Sequence, residues 1–285
     1  MAGASPITFV ASANCGLYCG ATVSFVDIER STGLMSIETL TFKLEQAERN
    51  GFAVLEDASH AIGGRYQGEP VGNCRFSAIT VFSFHPVKII TTGEGGLATT
   101  NDPVLAQRMA ELRSHGIVRD AERFERQAAG PWAYEQQQLG FNYRLTDIQA
   151  ALGLSQLQRL YEIVYERNRQ LQCYRELLVD LPVQLLEVPE AVVSSVHLAV
   201  IRLQKTTASL HRSVFEGLRA AGIGVQLHYS PVHLHPYYRH MGFAEGQFPQ
   251  AEAYATSAIS LPLYPGLQVD DQHRVANTLS TLMST

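Results

Sequence analysis

Asp57, Ser83 and Lys88 supply a carboxylate, a hydroxyl and an amine, and each stands at or just beyond the end of an apolar run. The run at residues 53–55 ends in Glu56 and Asp57, and a second at residues 78–84 leads through Ser83 and His85 to Lys88. Short apolar runs bounded in this way read as buried parallel strands, whose C-terminal ends are where open α/β sheets gather their chemistry. An amine can bond an aldehyde, and a carboxylate beside a pyridine nitrogen keeps that nitrogen protonated. A hydroxyl with backbone N–H groups can hold a phosphate. Together these are the demands of pyridoxal 5'-phosphate, with Lys88 as covalent anchor, Asp57 on the ring nitrogen and Ser83 on the phosphate. Burial would lower the Lys88 pKa and let the freed amine carry a substrate proton. Taken singly, each has a plainer reading: Asp57 as a loop cap, Lys88 as a solvated charge.

The elements that must position these groups are legible from punctuation. Residues 12–19 read as a short helix ended by Gly20 in the left-handed region, followed by a strand at 22–27. A helix is expected over 37–50 on the stripe Leu40, Leu44, Ala47. TTGEGG at 91–96 lacks the G-x-G-x-x-G spacing of a dinucleotide-binding turn, so its glycines read as a hairpin connection. Asp102 and Pro103 open a helix as N-cap and first residue. Residues 117–141 show little periodicity and read as a long loop. Thr146 and Gln149 form a capping box, and the stripe Leu145, Ile148, Leu152, Leu157, Leu160, Val164 predicts one long helix to about Leu181. Beyond Pro182 the pattern is mixed: strands at 196–203 and 224–228, and helices at 208–221, 252–258 and 272–283.

The chain has 285 residues, 46% of them hydrophobic, which allows one large and one small domain. With 22 basic against 27 acidic residues, there is no electrostatic case for nucleic acid or an anionic membrane surface. Cys15, Cys19, Cys74 and Cys173 are irregularly spaced. Cys15 and Cys19 could share a helix face, but zinc needs more ligands, so free thiols are expected. His228, His233, His235 and His240 match no zinc spacing either, and no metal is expected. Neither a signal peptide nor an apolar run of about 18 residues is evident, so a cytoplasmic setting is expected.

The segments EDASHAIGG, FSFHPVKIITTGEGG and GFNYRLTDIQAALG resemble the sugar aminotransferases of the DegT/DnrJ/EryC1/StrS family. HYSPVHLHPYYRHMGF and AISLPLYPGL resemble the branch of it that serves pseudaminic acid synthesis. The resemblance implies an α/β, fold type I aminotransferase architecture. A mostly parallel large domain would span 1–160, and a linking helix with a small α/β domain 161–285. It implies a cofactor set of Lys88, Asp57, Ser83 and His60, with Phe9 stacked on the ring and Asn142 reaching the phosphate of a neighbouring subunit. His85, His228, Tyr229 and His233 would face the substrate. The implied reaction moves an amino group from glutamate to the 4-keto carbon of a UDP-linked 4-keto-6-deoxy-N-acetylhexosamine, in a homodimer with shared sites. Relatives with histidine at the lysine position act as dehydratases, and Lys88 argues against that chemistry. The sequence departs from the family pattern at its start and again after Leu40, where a strand and part of the substrate wall are expected to be missing. A catalytically silent partner subunit is therefore the competing expectation.

Overall fold

A computed structural model describes residues 2–48 and 51–284. It divides into two compact units, Ala53–Tyr161 and a second made of Met1–Phe52 with Glu162–Thr285. The grouping of the first 52 residues differs from the expected 1–160 domain, and named contacts account for it. Pro6 O accepts from Val232 N (2.9 Å), and Tyr238 donates its hydroxyl to Asn14 Oδ1 (2.6 Å). The Asp27 carboxylate accepts from Gln250 N (3.0 Å) and Ala251 N (2.9 Å), capping the helix Pro249–Ala255. Phe25 lies edge-on to Phe243, Phe248 and Tyr238, with ring centroids 5.1–5.8 Å apart. Such edge-to-face pairs add to the burial of the rings themselves.

In the unit Ala53–Tyr161, strand Leu55–Asp57 runs parallel to Ile79–Ser83, which pairs antiparallel with Gly96–Thr99. The glycines at 93 and 95 serve that return, as the sequence predicts. Burial alternates along Ile79–Ser83, with Thr80 and Phe82 inward. Register then decides which acid does what. Glu56 pairs with Thr80 and points to the inner face, where its carboxylate accepts from Thr80 Oγ1 (2.7 Å) and Ser77 Oγ (2.9 Å). Asp57 pairs with Val81 and shares the other face with Ser83.

Asp102 caps Pro103–Leu112 through Val104 N (2.7 Å) and Leu105 N (3.3 Å), and both halves of the Thr146–Gln149 box are formed. The loop expected at 117–141 carries a short antiparallel pair, Ile117–Val118 with Glu135–Gln136. The single helix expected from 145 to 181 is two, Asp147–Leu157 and Leu160–Leu177. An i to i−3 bond from Arg159 N to Gln156 O (3.0 Å) tightens the chain and ends the first.

The other unit has a parallel pair, Ala2–Ala4 with Val23–Phe25, joined through helix Ala11–Tyr18. Gly20 follows that helix at φ 75°, the left-handed position predicted for it. Helix Ile37–Glu48 matches the expected one, although Asn50 and the side chains of Leu44 and Ala47 lie outside what is described. An antiparallel sheet places Ala199–Leu203, buried throughout, between Val183–Leu185 and Ala258–Leu261. Helices Ala208–Ala220 and Val269–Met283 cover it through Val214, Leu218, Val275 and Leu279. The strand expected at 224–228 is reduced to one bridge, Gln226 to Ser260. Among the described residues the remaining strand pairs within each unit are antiparallel.

Candidate active site

Asp57 ends its strand, and its Oδ1 accepts from Ser59 N (3.1 Å). Ala58 N donates to Val81 O (2.8 Å), which extends the parallel register one residue past the acid. On the neighbouring strand Ser83 is the last residue, and its Oγ accepts from His85 N (3.4 Å). His85 O accepts from Lys88 N (2.9 Å), so residues 85–88 turn back on the strand they have just left. Ile89 and Ile90 are buried and pin the far side of that turn, leaving Lys88 half-buried.

Two opposed effects act on the Lys88 amine. Burial lowers its pKa from the ordinary lysine value, and the Asp57 carboxylate raises it without cancelling that effect. The structure therefore brings Lys88 within the electrostatic reach of Asp57. Ser83 stands at the same sheet edge. His85 is exposed, with its Nε2 3.9 Å from Glu94 Oε1, and His60 is half-buried within the turn that Ala61 N and Ala58 O close (2.9 Å). Asn142 is exposed on a bridge to Ser114, and its sequence neighbours Phe141 and Tyr143 stack on each other (centroids 4.7 Å apart).

Sequence reasoning missed the groups that hold the lysine loop. Gln156 Oε1 accepts from Thr91 N (3.1 Å), and its Nε2 donates to Thr91 O (3.2 Å). About two turns earlier on the same helix, Gln149 Nε2 donates to Glu94 O (3.0 Å). The usable signal was the spacing of Gln149, Gly153 and Gln156, which places all three on one helix face.

In the other unit Phe9 is 61% exposed, with its ring centroid 6.2 Å from that of Tyr229. Tyr229 lies edge-on to His228 (5.0 Å), whose Nδ1 is 2.8 Å from Ser260 Oγ. These three share an aromatic patch. His233 does not join it: the side chain is fully buried, against the Phe248 ring (4.8 Å), with Nε2 2.9 Å from Glu252 Oε1. The expectation that His233 faces a substrate is corrected, because a side chain at 0% exposure has no face to offer.

The donor set fits pyridoxal phosphate: an amine of lowered basicity for the aldehyde, a carboxylate for the ring nitrogen and a hydroxyl for the phosphate. Among the described residues no cluster of His, Cys, Asp or Glu is placed to hold a metal ion. A cavity of about 680 Å³ in the same unit, lined by Glu111, Arg119, Arg123 and Arg144, does not include Asp57, Ser83 or Lys88.

Comparison with known proteins points to the same cofactor. UDP-4-amino-4,6-dideoxy-N-acetyl-beta-L-altrosamine transaminase of Campylobacter jejuni is 32% identical over 305 residues, covering 98% of this chain and 78% of its own. The structure is similar to a putative sugar aminotransferase from Streptococcus pneumoniae in its PMP form. That likeness has a TM-score of 0.90 at 27% identity and covers 99% of this chain and 81% of that one. It is also similar to Helicobacter pylori PseC, an aminotransferase involved in pseudaminic acid biosynthesis, with a TM-score of 0.88 at 29% identity, covering 99% and 79%. The DegT/DnrJ/EryC1/StrS aminotransferase family matches residues 4–47 and 43–280, two segments that meet in helix Ile37–Glu48, near the expected internal gap. The chain belongs to the DegT/DnrJ/EryC1/StrS aminotransferase family.

Proposed function

We propose that this chain transfers an amino group from glutamate to the 4-keto carbon of a UDP-linked 4-keto-6-deoxy-N-acetylhexosamine, in a pathway of the pseudaminic acid type. Aminotransferase family membership and the similarity to the altrosamine transaminase and to PseC support this substrate class. The observation that carries the reading is the half-buried Lys88 within the field of Asp57.

Bound pyridoxal phosphate supplies an aldehyde that exchanges amino groups and a ring that takes up the electron pair of a broken C–H bond. Lys88 would hold it covalently, and the Lys88 amine would carry the substrate proton. Burial keeps more of that amine unprotonated at neutral pH. Asp57 would keep the ring nitrogen protonated and Ser83 would donate to the phosphate, and His60 and Phe9 are assigned to cofactor binding as well. His85, His228 and Tyr229 orient the nucleotide-sugar through hydrogen bonds and ring contacts.

Asn142 is assigned to the phosphate of a neighbouring subunit in a homodimer. Its segment supports this, since Leu139 is 88% and Ile148 85% exposed, with Trp132, Phe141 and Tyr143 also outward. Apolar groups gathered in this way favour an interface. A reducing, cytoplasmic setting fits the free thiols, and among the described residues no helix is long and apolar enough to cross a membrane.

The test is glutamate-dependent amination of the keto sugar, read by mass, in wild type and Lys88→Ala. Wild type is expected to turn over and to show the visible band of lysine-bound cofactor; the variant does neither. Identical spectra would overturn the lysine assignment. Cofactor binding only beside a longer relative would favour a silent partner subunit instead.

A further inference from the structure

Phe84, the first residue beyond the lysine strand, closes the loop that carries Lys88. Its carbonyl accepts from Thr91 Oγ1 (2.8 Å) and Thr92 N (3.0 Å), and its N–H donates to Gly95 O (2.9 Å). Residues 85–90 thus form a closed loop whose stem is the pair Phe84 and Thr91. Helix Asp147–Leu157 meets residues 91–94, at and just beyond that stem, at three points. Gln156 satisfies both the N–H and the C=O of Thr91, as a neighbouring strand would. Gln149 divides its amide between the two structures: Oε1 accepts from Thr146 N (3.1 Å) in the capping box, and Nε2 donates to Glu94 O. Between them Gly153 has no side chain where one would collide, since a Cβ there would lie 2.8 Å from Thr92 Cγ2. A helix that approaches a loop this closely, with a two-point amide bond at one end and a one-point bond at the other, leaves the loop little freedom to slide.

We propose that Gln156, supported by Gln149 and Gly153 on the same helix face, is a positioning residue that holds the Lys88 loop against the sheet edge beside Asp57. It touches neither cofactor nor substrate and acts through Thr91. The proposal rests on the reading of Lys88 as the cofactor anchor, and its physical content is separable from it. A loop freed from the clamp exposes the Lys88 amine to water, whatever that amine bonds.

The experiment exploits the small number of lysines, Lys43, Lys88 and Lys205. Trace acetylation of the cofactor-free chain across a pH series, read peptide by peptide in a mass spectrometer, gives the basicity of each amine, with exposed Lys205 as internal reference. In Gln156→Met, close in size but without the amide, the Lys88 midpoint is expected to move up by about half a pH unit or more as burial relaxes. Gly153→Ala should act in the same direction by pushing Thr92 away, so a folding defect in one variant does not remove the test. With pyridoxal phosphate added, covalent attachment at Lys88 is expected to slow by about tenfold in both, from misplacement of the amine. Midpoints unchanged in both variants overturn the clamp. Attachment of the cofactor to Lys43 or Lys205 in wild type overturns the anchor reading, while the acetylation arm still decides the clamp.

Discussion

At the scale of residues, the Lys88 amine balances burial, which lowers its pKa, against the Asp57 carboxylate, which raises it. Asp57→Asn removes only the second effect, so the Lys88 titration midpoint is expected to fall further below the ordinary lysine value. A rise on substitution would contradict the placement of the two groups. His233 and Glu252 make a different kind of pair. Burial pushes the Glu252 carboxyl up, but bonds from Gly246 N–H, His233 and Phe248 N–H outweigh it and hold the pKa below the usual range. A carboxyl depressed in the folded state adds stability above its unfolded pKa, and that contribution disappears as pH falls through the folded value. Glu252→Gln should therefore flatten the acid limb of the stability curve, as followed by melting temperature between about pH 3 and pH 6. His233→Ala is expected to cost about 2–4 kcal/mol in urea unfolding, by leaving a cavity under Phe248 and stripping Glu252 of a donor. The placement of Asp57, Ser83 and Lys88 at or just beyond neighbouring strand ends was legible because apolar runs and the polar residues that stop them are local signals. His233 was not, because a histidine among histidines and tyrosines reads the same whether it meets a ligand or a phenyl ring.

At the scale of elements, Asp102, Gly20 and the Thr146–Gln149 box marked their helix ends correctly, because capping depends on residues adjacent in sequence. The break between Leu157 and Leu160 escaped notice because the apolar spacing continues across it. The grip of Gln156 on Thr91 escaped for a different reason: its partner is 65 positions away and is a backbone group, which has no residue type to read. Helix Leu160–Leu177 is tied down comparably. Arg167 Nη1 donates to the carbonyls of Val196 (3.1 Å), His197 (3.3 Å) and Leu263 (3.3 Å), and Tyr174 donates its hydroxyl to Pro262 O (3.0 Å). Burial lowers the Arg167 pKa, and the three carbonyl dipoles surround its charge. Arg167→Leu is expected to destabilise the protein by about 3 kcal/mol, seen as a lower urea midpoint, because buried acceptors lose their donor.

At the scale of the whole molecule, the first 52 residues group with the C-terminal half of the chain, where the sequence pattern places them with residues 53–160. Their bonds to Val232, Tyr238 and the helix Pro249–Ala255 join residues more than 200 positions apart, beyond the reach of local pattern. The apolar groups on helix Asp147–Leu157, legible as a helical stripe, are exposed in the single chain, and the proposed subunit interface would cover them. Ile148→Glu should weaken self-association by about tenfold or more in sedimentation and lower specific activity on dilution. Constant specific activity down to a monomeric concentration would argue against a shared site.

The covalent role of Lys88 can be read by incubating the purified chain with pyridoxal phosphate, reducing it with borohydride and locating the added mass by peptide sequencing. The cofactor is expected on the peptide containing Lys88 and on no other. Label on Lys43 or Lys205, or none on a correctly folded chain, would contradict it.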